Sequence, residues 1–490
     1  MENPKLKQLH DEWIEEATIM DMQKKMEQGE LTSKELTLIY LNRISEFDQG
    51  KINSVLQINP DALHIAEAFD AERKEKGPRS ALHGIPILIK ANIDTADKMH
   101  TSAGSLALKD SIAQRDSFVA EQLRKAGAVI LGKTNMTEWA NFMAENMPSG
   151  YSSLGGQVLN PYGPGKFDVG GSSAGSGAAI AANFAAAAVG TETSGSILEP
   201  ACQNSIVGIK PTVGLVSRRG IIPIAHSRDT AGPMARTVED AAILLNALTG
   251  IDVEDPITHT NPLAGADFLK GLNIGGLKGK RIGVARDGFM DYLSDDKKQV
   301  FEEAIGILKT TGVELIEDIT IPSVKAPWSY DVLTYEFKAD LNAYLNTLHP
   351  SVTVRSLAQL IEFNQKYKEK MLKYGQAVLL ESEATSGSLT ESAYVKSLEY
   401  DIYHAGELGI DFAIKESNLD AILFPGEEAS HISAKAGYPS VAVPAGYTTE
   451  GEPFGVTFSA GAYTEQQLIQ FAYAFEQAAM KRKKPSLCME

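Results

Sequence analysis

Cysteine is nearly missing from this chain: Cys202 and Cys488 are the only two in 490 residues. Two thiols so far apart make neither a disulfide framework nor a zinc site, and a reducing, cytoplasmic setting is expected. Histidine is also sparse, nine residues with no HExxH-type spacing, which argues against a metallohydrolase. Basic charge is in deficit, with 46 Lys and Arg against 63 Asp and Glu and a net charge of −17. A chain of that sign is a poor match for nucleic acid or an anionic membrane. Long apolar runs are missing too: nothing approaches the roughly 18–20 residues that span a bilayer, and the Ala-rich run from Gly177 to Gly190 is broken by Asn183. The start, MENPKLKQLHDEWIEEATIMDMQ, carries charges throughout and lacks the apolar segment of a secretory signal.

What is present has the composition of a globular protein, 43% apolar and 22% charged, enough for a large core. Thr32 and Glu35 form a capping-box pattern ahead of a helix carrying Leu36, Ile39 and Ile44. From about 81 to 250, short apolar runs alternate with helical stretches: Ile85 to Ile89, Asp116 to Gly127, Ala128 to Leu131. Such alternation implies an α/β layered core. Residues 147–171, rich in Gly, Pro, Ser and Asn, read as a long loop, and loops of that length are often functional. A further strand, helix, strand unit is expected at Arg281 to Ala285, Asp296 to Leu308 and Val313 to Ile321. Residues 325–415 read as helical and aromatic-rich. The end returns to strands, Ala421 to Phe424, Ser440 to Val443 and Phe454 to Phe458, and to a helix opened by a Thr464 to Gln467 capping box. One interrupted sheet is expected.

Two familiar patterns fail on context. Gly127 to Thr134 satisfies GxxxxGK[ST], but its interior Ala128 to Leu131 is a strand-forming run, whereas a phosphate cradle needs a loop after the strand. Gly171-Ser172-Ser173-Ala174-Gly175 satisfies GxSxG, but no apolar strand precedes it, and none of His226, His259, His349, His404 and His431 is marked as its partner. The serines therefore lack a histidine base. A buried lysine of lowered pKa can replace one. Lys90 ends the apolar run Ile85 to Ile89, and strand alternation puts it on the face of Leu88. Ser172 lies in GGSSAGSG, which runs into an Ala-rich stretch read as a buried helix from Ala174 to Ala188. Ser196 lies in GTETSGSILEPA, at a turn into a helix, where backbone N–H groups suit an oxyanion.

GGSSAGSG and GTETSGSILEPA resemble the amidase signature family, as do GIPILIKANID, TSAGS, GKTNMTEWANF, VGIKPTVGLVSRRGIIPIAHSRDTAGPMARTVEDAA and GYPSVAVPAGY. The wording of several of these is most similar to bacterial peptide amidases. The resemblance covers most of the chain outside about 255–415. It implies an α/β fold with a central mixed, twisted β-sheet covered on both faces by helices. It also implies a serine amidohydrolase with Ser196 as nucleophile, Ser172 after a cis peptide bond as relay, and Lys90 as base. The oxyanion hole would be the N–H groups of Thr193, Ser194, Gly195 and Ser196, and Asn141 would line the acyl pocket. No cofactor or metal is implied. The partner is expected to be a peptide or small-molecule amide, and the chain a monomer or homodimer. A carbamate or ester hydrolase, or an amidotransferase subunit, uses the same chemistry. Leu198 stands where many relatives have Arg, which counts against a substrate held by its carboxylate. The chain is expected to be a single domain, residues 1–490. Within it, 1–75 would be an N-terminal helical part and 76–250 the signature core. A variable, substrate-facing region would cover 251–415, and 416–490 would complete the core.

Overall fold

The computed structural model describes residues 2–487, so Cys488 lies outside the described residues. Among the described residues there are thirteen strands, most of them short runs rich in Val, Ile and Ala. They are β1 Val55–Ile58, β2 Pro86–Lys90, β3 Val129–Thr134, β4 Tyr151–Ser152, β5 Gly156–Gln157, β6 Ala187–Glu192 and β7 Val207–Lys210. Then come β8 Thr230–Ala235, β9 Arg281–Val284, β10 Glu314–Ile316, β11 Ala421–Pro425, β12 Ser440–Tyr447 and β13 Pro453–Ser459. Eleven join one sheet in the order β1-β3-β2-β6-β8-β7-β12-β13-β11-β9-β10, while β4 and β5 pair separately inside the long loop. The sheet is mixed: β3, β2 and β6 run parallel, as do β11, β9 and β10, and the strands between alternate in direction. The expected single interrupted sheet is formed where β12 returns to pair with β7. Neighbouring residues on a strand face opposite ways. Because β2, β3, β6, β8, β11 and β13 are buried at every position, both faces of the sheet are covered.

The helices of 331–405 build a second apolar cluster with residues 91–147 and 222–225, where Phe337 meets Phe142 edge to face at 5.0 Å. That cluster lies beside the carboxyl ends of β2 and β3, where an α/β sheet commonly receives its ligand.

Local differences from the sequence reading have identifiable causes. The helix expected from Ala174 to Ala188 ends at Ala181. Asn183 takes a left-handed conformation (φ 60°), held by hydrogen bonds between its side chain and Glu16, and the remaining alanines enter β6. The strand expected over Val313 to Ile321 stops at Ile316, because edge strand β10 finds partners on β9 for three residues. The Thr32/Glu35 capping box forms, but the one at Thr464 does not. Thr464 Oγ1 donates to Gly461 O and Gln467 Nε2 to Asp420 O, so both side chains are used elsewhere. The N-terminal part is not wholly helical, since it supplies β1. Lys133 and Thr134 of the GxxxxGK[ST] pattern lie in β3, with Lys133 Nζ donating to Ile93 O and Thr101 Oγ1, so no phosphate cradle forms.

Close packing at the sheet centre gives a stability test. A Cβ on Gly232 of β8 would lie 2.0 Å from Ile209 O, whereas one on Gly306, in the helix Asp295–Thr310, meets nothing within 4 Å. Gly232→Ala is expected to destabilise by about 1–3 kcal/mol and lower the thermal midpoint. Gly306→Ala is expected to raise it, by roughly 0.5–1 kcal/mol in stability.

Candidate active site

Three chain segments meet at the carboxyl end of β2. Lys90 is the last residue of that strand and is fully buried. Its Nζ lies 2.8 Å from Ser172 Oγ, 3.0 Å from Thr191 Oγ1 and 3.2 Å from Thr191 O. Thr191 is presented by β6, the strand paired with β2 on the side away from β3, and Asn92 Nδ2 donates to the same Thr191 Oγ1. Burial pushes the Lys90 amine down to about 7, against the opposing pull of Glu192 and Asp229. A neutral amine has two N–H groups and one lone pair. With Thr191 O and Oγ1 taking the two hydrogens, the lone pair is left to the Ser172 hydroxyl.

Ser172 begins the turn into the helix Ala174–Ala181, and the Gly171–Ser172 peptide bond is cis. Its carbonyl accepts from Thr137 N at 3.1 Å. The next residue ties this turn to the other serine loop: Ser173 N donates to Ser196 O at 3.1 Å, and Ser173 Oγ exchanges hydrogen bonds with Thr191 O and N. Ser196 is 7% exposed and its Oγ makes no hydrogen bond to another described residue. The structure thus joins Lys90 to Ser172 directly, and ties the Ser172 turn to Ser196 through the backbone of the next residue, Ser173.

The loop between β6 and Ser196 is shaped by Glu192. Its carboxylate accepts from Gly195 N at 2.8 Å, Ile197 N at 2.7 Å and Leu198 N at 3.0 Å. This corrects one expectation, because the Gly195 N–H is spent on Glu192 and does not face an oxyanion. The N–H groups of Thr193, Ser194 and Ser196 form no hydrogen bond to another described residue. Gly195 has φ of +83°, a left-handed conformation that glycine adopts without the Cβ penalty. Asp229 braces the loop from the other side, accepting from Thr193 Oγ1, Ile224 N and Ala225 N. Burial pushes its carboxyl up to about 7.

Ser196 opens into a cavity of about 560 Å³ whose walls also include Thr193, Ser194, Asn141 and Ile224. Asn141 is thus one wall of the cavity that holds Ser196. It ends a run of three left-handed residues, Trp139, Ala140 and Asn141, with φ of 52°, 54° and 69°. Each costs on the order of 1–2 kcal/mol, and Trp139 N→Ala103 O at 3.0 Å is among the bonds that hold the run. Nothing in GKTNMTEWANF signals this turn. Thr191 and Glu192 were also missed as working residues, since their contacts depend on strand register.

Among the described residues, one group brings metal-ligating atoms together: His226, Glu336 and Asp340. These groups are already engaged. Glu336 accepts from Ser227 N and Tyr394 Oη, and Asp340 accepts from His226 N and contacts its Nδ1.

The family model described as Amidase matches residues 35–469. The chain belongs to the amidase signature family. It is an amidase, a hydrolase with the mixed α/β sheet of its family. A peptide amidase from Stenotrophomonas maltophilia superimposes with a TM-score of 0.92 at 43% identity, over 97% of this chain and 99% of that one. An amidase family protein from Bacillus anthracis matches with a TM-score of 0.93 at 42% identity, over 98% of this chain and 94% of the other. A probable amidase of Arabidopsis thaliana is 41% identical, over 96% of this chain and 92% of its own length. No described helix is long and apolar enough to cross a membrane.

Proposed function

We propose that the amidase hydrolyses the carboxamide of peptide C-terminal amides through Ser196, Ser172 and Lys90. The observation that carries this reading is the 2.8 Å contact between the buried Lys90 amine and Ser172 Oγ. Ser196 Oγ attacks the amide carbon while its proton passes to Ser172 and the Ser172 proton passes to the Lys90 lone pair. A serine relay of this kind uses a neutral amine as imidazole is used elsewhere. The oxyanion is received by N–H groups of Thr193, Ser194 and Ser196, and one such donor is worth about 3–4 kcal/mol of barrier. Collapse breaks the C–N bond, and the leaving nitrogen takes the proton back through Ser172. Water then enters by the same relay, the ester of Ser196 is cleaved, and the sum is amide plus water giving acid plus ammonia.

The named substrate class is supported by the 43% identity to the Stenotrophomonas peptide amidase across nearly the whole chain, and by the size of the cavity, which suits a short peptide. Lys90, Ser172 and Ser196 come from one chain, so the relay is complete within a monomer or within each subunit of a homodimer. The free, buried Cys202 suits a reducing, cytoplasmic setting.

Ammonia release from a panel of dipeptide amides, aliphatic and aryl amides, and aryl carbamates tests the reading. Dipeptide amides are expected to be turned over best, and Ser196→Ala is expected to lower kcat by at least about 10³-fold. Best turnover of aryl amides or carbamates would overturn the substrate class, and activity surviving in Ser196→Ala would overturn the nucleophile.

The pH profile follows from Lys90. The base must be neutral, and its neutral fraction falls below its pKa of about 7. Below pH 7, kcat/KM is therefore expected to drop about tenfold per unit. Glu192 favours the charged amine, so Glu192→Gln is expected to move this limb to lower pH. A limb that stays in place would contradict the assignment.

A further inference from the structure

The cavity that opens onto Ser196 is lined by carboxyl groups with no basic side chain to match them. Glu145, Glu199, Glu381 and Glu427 face it, and no lysine or arginine does. Its imidazole, His431, has its pKa lowered by burial and then by Lys435, so it adds no charge near neutral pH. None of the four glutamates pairs with a cation among the described residues. Lys297, whose charge reaches Glu427, is engaged by Glu452 at 2.8 Å. Glu199 sits in the first turn of the helix Leu198–Gln203, three residues after Ser196, and Glu427 follows β11.

Acidic side chains in a cluster do not by themselves make a site. Here the same cavity holds the Ser196 hydroxyl, buried and without a hydrogen-bond partner, where a reacting carbonyl must come. Burial, and next the charge of Glu427, push the Glu199 carboxyl well above its usual range, and burial raises Glu427 as well. The cavity therefore holds carboxyl groups that pair with no cation among the described residues. A ligand cation placed among them favours their ionised form and gains charge-assisted hydrogen bonds.

We infer that the cavity selects amide substrates carrying an ammonium or guanidinium group on the acyl side of the scissile bond, bound by Glu199 and Glu427. The inference rests on the peptide-amide reading and narrows it to cationic substrates. An α-ammonium and a basic side chain offer the same chemistry, and the test separates them.

Two pairs of compounds differ by a single positive charge: acetyl-alanyl-lysinamide against acetyl-alanyl-norleucinamide, and alanyl-phenylalaninamide against its N-acetyl form. In at least one pair the cationic member is expected to show a kcat/KM higher by about tenfold or more, and the responding pair identifies the group bound. Glu199→Gln and Glu427→Gln are expected to bring that ratio toward one, mainly through KM. A merely structural role would lower both members alike and leave the ratio unchanged. Equal or better turnover of the neutral member in both pairs, or a ratio untouched by both substitutions, overturns the inference and leaves the amidase reading standing. Absence of ammonia release from all four compounds overturns the peptide-amide reading, and the cation site falls with it.

Discussion

The site depends on an amine kept away from water and from counter-ions. Lys90 has no carboxylate within pairing distance. Its partners are the hydroxyl and carbonyl of Thr191 and the hydroxyl of Ser172. In that setting burial outweighs the distant anions Glu192 and Asp229, and the neutral form becomes accessible near pH 7. A direct ion pair in the same place would hold the proton on nitrogen and disable the base. The surrounding fold serves this arrangement. β2 carries Lys90 into the sheet interior, β6 brings Thr191 alongside it, and the turn before the helix Ala174–Ala181 brings Ser172 from 82 positions away.

The anions near the base are spent on the backbone. Glu192 binds three N–H groups of the Ser196 loop, and Asp229 binds two N–H groups and the Thr193 hydroxyl. Each carboxylate shapes the loop while lying too far from Lys90 to pair with it. The glutamates of the substrate cavity are held more lightly: one backbone hydrogen bond, from Gly171, acts on Glu199, and one, from its own N–H, acts on Glu427. In the proposed function they keep capacity for a substrate group that Glu192 and Asp229 have spent on the loop.

Much of this was legible in the sequence, for local reasons. Lys90, Ser172 and Ser196 each sit in a short motif whose neighbours mark it: an apolar strand, a Gly-Ser turn into small residues, and a Ser-Gly turn into a helix. The alternation of strand and helix runs gave the layered fold, and the return of residues 421–458 to the same sheet was expected from their apolar runs. Other features were hidden because they depend on register or on distant partners. Alanine is equally at home in a buried helix and a buried strand, so the boundary between Ala181 and β6 hangs on Asn183 and its bonds to Glu16. The role of Thr191 follows from the alignment of β6 with β2. Gly195 looked like an oxyanion donor until Glu192, three residues earlier, was seen to take its N–H. Glu427 is 231 positions beyond Ser196, and no motif links the two.

The central claim is that Lys90 is neutral at working pH because of its burial. Titration of its Cε carbon by NMR in protein with ¹³C-labelled lysine, assigned by loss of the signal in Lys90→Met, measures this directly. The expected midpoint is about 7. A midpoint near the ordinary lysine value of 10.5 would contradict the account.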